Sequence, residues 1–413
     1  MKRLFLTTAL GAACLWSAQA HASGYQLNEY SITNLGRSFA GAGVVGDDYS
    51  AIAYNPAGMT LKKNGMQASF TMAEVASEMK GRGASSGKQT EMDFGVPLPA
   101  AYAQYQVNDK WFVGGGIYAP YGLATRYKKD SYIADSARES TLEVIDYNLS
   151  TAYKLNSKWS VGASFVARYI YGHMTNNIVV GGMHLGESDF ELDGWTYTGT
   201  LGIMYEPSEN TRIGLSYKPK SIQRVKGDHT VTGNPIPGMF APGVYSDGKA
   251  SPDLPETTLL SVYHKPFDKV AFTGSARFTR WGDSFEDFSM TSSFTKAQGL
   301  PPVDYSWQDS WTFSLGTEYY VNDNLTLRLG TAWDQSPTPD NQHRTHRIPD
   351  SDRIWLSAGL SWRQDNMQFD LGYAHLFMKQ SYIRDSVNTR YNDHDTKYRA
   401  YSNMFGLGFQ YDF

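Results

Sequence analysis

The sequence predicts an all-β protein, a 14-stranded antiparallel transmembrane β-barrel with an N-terminal hatch (plug) inside the lumen. Three observations carry this. Segments of alternating polarity, roughly ten residues each, follow one another from Asn64 to the end. The connections between them are alternately tight and long. The last residues, Phe405, Leu407, Phe409, Tyr411 and Phe413, alternate with Gly406, Gly408, Gln410 and Asp412, which is the stripe of a lipid-facing closing strand.

The chain begins with a processing signal over residues 1–22. Lys2 and Arg3 precede an apolar run from Leu4 to Trp16, and Ala18, Ala20 and Ala22 supply small residues for cleavage. Cleavage after Ala20 or after Ala22 fits, and the second gives a mature start at Ser23. Cys14 is the single cysteine of the 413 residues, so the mature chain has no disulfide. No later apolar run is long enough for a membrane helix. The formal net charge of −4 gives no reason to expect nucleic acid.

Residues 23–63 form the hatch. Gly36, Gly41, Gly43 and Gly46 and the run Asn55-Pro56-Ala57-Gly58 interrupt every strand or helix period. Its apolar residues, among them Tyr25, Leu27, Tyr30, Phe39 and Tyr54, need burial and argue against a disordered linker. Fourteen strands leave a lumen that side chains alone do not fill, and irregular backbone is tolerated there when protein surrounds it.

Residues 64–413 form the barrel. Tight connections fall at 107–110, 155–158, 206–210, 265–268, 321–324 and 363–366. Long polar ones fall near 77–95, 121–139, 173–192, 226–254, 283–306, 335–352 and 378–397. Short turns at one end and long loops at the other are the outer-membrane pattern. In Trp159 to Tyr171, odd positions from Val161 to Tyr171 share one face and Ser160, Gly162, Ser164 and Arg168 the other, with Val166 and Ile170 as apolar exceptions. Gly114, Gly115, Gly116, Ala119 and Pro120 mark the third strand as kinked. A proline inside a strand with two neighbours breaks a ladder bond, so the strand would part from its neighbour and open a window toward lipid, whereas a proline at the strand's very end would change nothing.

The stretches GYQLNEYSITNLGRSFAG (24–41), the NPA of Asn55, Pro56 and Ala57, YGLAT (121–125), LSTAYKLNSKWSVG (149–162), SLGTEYYVNDN (314–324) and IPDSDRIWLSAGLSW (348–362) occur in a set order and spacing. Together they resemble the FadL family of outer-membrane transporters for long-chain fatty acids and other hydrophobic compounds. The resemblance covers the whole mature chain. It implies capture in a loop groove, passage to an interior site, hatch movement, and lateral exit through a kink that falls on 115–122. It also implies that Tyr25 enters the interior pocket.

Two positions depart from that pattern. Where fatty-acid members place basic residues near the ligand carboxylate, this chain has Asn176 and Gln308, and the loop near 173–192 is short. By strand parity Arg168, Arg277 and Arg328 point into the lumen and are candidates to receive a carboxylate. The competing reading pairs them with Glu29, Asp47 or Asp48. Phe240 with Ile236, Met239, Val244 and Tyr245, and Phe285 and Phe288 with Met290 and Phe294, make two outer loops apolar enough either to mark contact sites or to pack on one another as a cap on the barrel.

The expected function is passive uptake of fatty acids or related hydrophobic molecules in the outer membrane of a Gram-negative bacterium. A channel for neutral or aromatic hydrocarbons is the alternative within the same class. An outer-membrane hydrolase or an adhesive barrel is the alternative outside it. Scattered histidines, including His343 and His346, offer no ligand set for a metal, so neither enzyme activity nor a cofactor is expected. Expected partners are hydrophobic small molecules, outer-membrane lipid and lipopolysaccharide, and the barrel-assembly machinery, with the protein a monomer.

Overall fold

The computed structural model describes residues 24–413 apart from 181, 238, 239, 300 and 385–393. The expected processing signal over residues 1–22, Ser23 and Met239 lie outside the described residues. Fourteen antiparallel strands form the wall: β1 (Gly65–Gly81), β2 (Gln89–Gln106), β3 (Trp111–Arg126), β4 (Glu139–Lys154), β5 (Trp159–Val180), β6 (Met183–Ser208), β7 (Thr211–Lys218), β8 (Glu256–Phe267), β9 (Val270–Arg280), β10 (Ser310–Tyr320), β11 (Leu325–Asp334), β12 (Arg353–Gln364), β13 (Met367–Met378) and β14 (Thr396–Asp412). Each pairs with the next, and β14 returns to β1 in unbroken register from Gly65↔Asp412 to Gly81↔Thr396.

The residue pattern is that of a water-soluble sheet turned inside out. On β1 the buried positions hold Gln67, Ser69 and Thr71, while Met66, Phe70 and Met72 are exposed. Leu149, Phe165, Leu315, Leu329 and Leu407 continue the exposed apolar belt around the barrel. Such a surface is stable when lipid is the outer solvent.

The six tight turns stand where the sequence places them, all at one end. The other end differs in part. Residues 173–192 are mostly strand rather than loop, because β5 and β6 run on as a hairpin past the belt. A second hairpin (Val225–Gly233 with Gly243–Ala250) continues the wall beside β6, and a short helix, Ser293–Ala297, leans on it.

Inside the wall, residues 24–60 are buried almost throughout. They contain two single-turn helices, α1 (Ile32–Leu35) and α2 (Ala51–Tyr54), and a 3-10 turn over Pro56–Leu61. Ser31 caps α1 by accepting from the amide of Asn34 at 3.2 Å, and Asn55 opens the 3-10 turn by accepting from Ala57 at 3.1 Å. Pro56 fits the first position of that turn, where no amide is needed.

Candidate functional site: an apolar route from the outer loops to a gap in the wall

The lower lumen is polar. Arg37 of the hatch donates to Asp47 at 2.6 Å and to Glu318 of β10 at 2.5 Å. Arg328 of β11 meets the same two carboxylates at 3.0 and 2.8 Å and Ser361 at 2.5 Å. Two guanidiniums and two carboxylates thus hold hatch to wall. Burial pushes the Asp47 carboxyl up, but the two arginines outweigh it and hold the group below the usual carboxylate range. Asn55 also donates to the Ile203 carbonyl at 3.2 Å, an approach permitted by glycine on the wall: a Cβ on Gly202 would stand 2.1 Å from Asn55 Oδ1. Pro56 and Ala57 press in the same way against Gly162.

The upper lumen is apolar, and two cavities meet there. The inner one is lined by Tyr25, Leu123, Leu142, Ile170, Met174, Leu192, Phe285 and Phe288, and its free volume is about 30 Å³, close to one water. Tyr25 fills it. Its ring is 1% exposed and lies 4.9 Å from Trp281 and 5.5 Å from Phe285, edge to face. The outer cavity is a groove of about 570 Å³ between loops, lined by Ile178, Leu185, Phe240, Phe294 and others. Phe288, Met290, Tyr305 and Arg347 border both.

The candidate residues therefore separate. Tyr25, Phe285 and Phe288 come together in the inner cavity, and Phe240 stands in the groove against Phe294, with ring centroids 6.0 Å apart. The three interior arginines do not line the inner cavity. Arg168 is held by both oxygens of Asp146, at 2.6 and 2.8 Å, and by Ser221. Arg277 donates to Asn28, and Arg328 belongs to the hatch cluster, which is the competing reading for Asp47. Burying a guanidinium in the lumen demands a local acceptor, and the wall and hatch supply it.

Sequence reasoning missed Arg347. Among the described residues it is the one charged side chain lining the inner cavity. It donates to Asn176 Oδ1 and to Ser140 Oγ, both at 3.0 Å. Asn176 lies on β5, so this bond ties the loop to the wall. A loop position carries no parity signal, so nothing in the sequence aimed it inward. Val166 and Ile170 were the legible signal instead. These exceptions to alternation face inward, and Ile170 lines the inner cavity.

The wall opens beside this cavity. β2 and β3 pair from Gln106↔Phe112 to Ala101↔Ile117 and, among the described residues, no further, although both strands continue. Against β4, the β3 register shifts between Tyr118 and Tyr121, so Ala119 and Pro120 form a bulge well inside the strand. Gly115 and Gly116 lie in the last paired stretch, where a Cβ on Gly116 would strike the Tyr102 ring at 2.4 Å. Past the bulge β3 pairs with the hatch: Leu27 donates to the Pro120 carbonyl and Gly122 to the Tyr25 carbonyl, both at 2.8 Å. β2 keeps its ladder to β1 through Pro97 and Pro99. Residues without an amide hydrogen sustain that ladder only if their amide positions face the other way, toward the gap. The opening is lined by Pro97, Leu98 and Pro99 of β2, Ile117, Tyr118, Ala119 and Tyr121 of β3, and Glu143, Val144 and Ile145 of β4.

A sealed barrel with an apolar upper lumen and a side opening defines an outer-membrane protein of hydrophobic transport rather than an aqueous porin. Residues 13–413 match the family model described as outer membrane protein transport protein (OMPP1/FadL/TodX), and the chain belongs to that family. It is 30% identical over 456 residues to the long-chain fatty acid transport protein of Escherichia coli (strain K12), covering 100% of this chain and 99% of that one. It is 28% identical over 477 residues to outer membrane protein P1 of Haemophilus influenzae, with both chains covered in full. Among solved structures it resembles a Pseudomonas aeruginosa FadL homologue (TM-score 0.84, 22% identity, 94% of this chain and 100% of that one). The Pseudomonas putida toluene transporter TodX has the same fold (TM-score 0.71, 19% identity, 95% and 100%). The protein resides in the outer membrane of a Gram-negative bacterium.

Proposed function

We propose that this protein takes up long-chain fatty acids or related hydrophobic molecules passively and performs no chemistry on them. Cargo enters the groove at Phe240 and Phe294, passes Phe288 and Arg347 into the inner cavity as Tyr25 and the hatch withdraw, and leaves between β2 and β3 into the outer leaflet. The observation that carries this reading is continuity: one set of side chains borders both cavities, and Tyr25, which fills the inner one, is bonded through its backbone to the strand at the gap. Each methylene moved from water onto such a surface contributes ~0.8 kcal/mol, so a long alkyl chain is held without specific chemistry. Residues 1–22 act as the export signal, 23–63 as the moving hatch and 64–413 as the barrel, working as a monomer placed by the barrel-assembly machinery.

Arg347 favours an acidic head group over the second reading, a channel for neutral or aromatic hydrocarbons, which the otherwise apolar lining supports. Equilibrium binding of a long-chain fatty acid and of an alkylbenzene of matched length separates the two. The fatty acid is expected to bind more tightly. Equal affinity would establish the hydrocarbon reading.

A further inference from the structure

Above the apolar belt, beside the wall gap, the outer surface of β14, β1 and β2 forms a concavity of about 730 Å³. Its floor presents Glu78, Glu91, Asp93, Arg399 and Tyr401, and one side is raised by Arg126 and Lys128, carried there because β3 has left β2. Lower on the same strands the outward positions are Met66, Phe70, Met72, Phe405 and Leu407, so charge begins where the lipid belt ends. This is the long-loop side, hence the outer leaflet.

Three cations and three carboxylates line the hollow. Glu78 lies opposite Arg399, and Lys80 opposite Lys397, across the β1–β14 ladder. Arg126 lies over the Phe94 ring at 5.6 Å and bonds Glu139 at 3.3 Å, while Arg399 donates to Gln380 at 2.9 Å. Among the described residues, Lys128, Glu91 and Asp93 have no ion-pair partner. Several cations around one hollow suit a dianionic phosphate better than a single carboxylate. The interspersed carboxylates would repel a lone anion, yet they suit a phosphate layer bridged by divalent cations, which take oxygen ligands.

We infer that this concavity seats the phosphorylated head group of an outer-leaflet glycolipid, with Arg126, Lys128 and Arg399 as its phosphate contacts. Its acyl chains then descend past Met72, Pro97 and Pro99 and cover the wall gap from outside. A departing hydrophobic molecule displaces acyl chains rather than water.

The test is native mass spectrometry of the delipidated full-length protein titrated with a defined lipopolysaccharide, with the same glycolipid after phosphate removal, and with a long-chain fatty acid as competitor. Retention is expected to fall about 10- to 100-fold on phosphate removal and in the combined variant Arg126→Ala, Lys128→Ala, Arg399→Ala. It should stay unchanged in Lys110→Ala, Lys158→Ala at the opposite rim. Phosphate removal tests the site without any substitution, so a variant that folds poorly does not protect the proposal. Equal retention of the dephosphorylated glycolipid overturns it. Displacement by the fatty acid at equal concentration also overturns it, because the hollow would then receive departing cargo.

Discussion

The amide of Leu27 donates to the carbonyl of Pro120 at 2.8 Å, and through this bond the hatch occupies the edge that β3 turns away from β2. Pro120 has no amide hydrogen to offer in return, and across the gap neither do Pro97 and Pro99. Both edges have therefore lost donors that would otherwise seek each other in lipid, where an unmet donor costs several kcal/mol. Restoring amides at one edge alone leaves the other without them. Pro120→Ala should keep most of the uptake, whereas Pro97→Thr, Pro99→Thr and Pro120→Ala together should zip the wall and reduce uptake several-fold, measured with a fluorescent fatty acid in cells. Equal uptake by the two variants would show that the prolines do not maintain the gap.

Arg347 stands where groove and inner cavity meet, within 3.0 Å of Asn176. A charge-assisted hydrogen bond contributes about 1.5–3 kcal/mol, so Arg347→Ala should weaken fatty-acid binding about 10- to 100-fold and leave a matched alkane nearly unaffected. Titration calorimetry reads both. A parallel loss for the two ligands would assign Arg347 to packing instead.

The cluster of Arg37, Asp47, Glu318 and Arg328 anchors hatch to wall, and the proposed withdrawal would have to break it. Glu318→Gln leaves two guanidiniums sharing one carboxylate, a loss on the order of 3–5 kcal/mol for a buried cluster. The barrel should persist while the hatch loosens, seen as increased conductance in planar bilayers. Because its pKa is depressed in the fold, Asp47 contributes stability above its unfolded pKa of about 4 and loses it only as pH falls further. Wild-type conductance should accordingly stay low from neutral pH to about pH 4.

Histidine gives the loops a different response. His346 is buried between Ser136 and Thr396, with Tyr127 on its carbonyl at 2.8 Å and His394, itself paired with Asp135, 6.3 Å away. Burial and then the neighbouring His394 push its pKa down to about 3. The fold thus favours the neutral ring, and the stability this confers is complete above about pH 6.5 and declines as pH falls toward 3. Measured against the intrinsic exchange rate at each pH, protection of residues 127–138 should fall between pH 7 and pH 4, a rise in opening. In His346→Gln that rise should largely disappear.

Much of this was legible because barrels obey strict local rules. Alternation located the strands, the turns gave their number, and a proline among glycines located the bulge at Ala119 and Pro120. What alternation cannot report is which luminal groups find partners. Arg168, Arg277 and Arg328 all point inward, yet Asp146, Asn28 and Glu318 take them up, and no sequence period links residues that far apart. Arg347 escaped for the complementary reason, since a loop has no face. The strand extension through 173–192 escaped because its outward positions meet water rather than lipid, so polarity there resembles loop.

We propose that hatch withdrawal and lateral exit are one motion. Gln26 and Tyr121 face each other as a non-hydrogen-bonded antiparallel pair, for which the Cα separation is about 4.5 Å, within disulfide range. The double variant Gln26→Cys, Tyr121→Cys joins hatch to β3 covalently. Fatty-acid uptake should fall to the level of cells lacking the protein when the disulfide is formed and return when it is reduced. Full uptake through the oxidised protein would contradict the account.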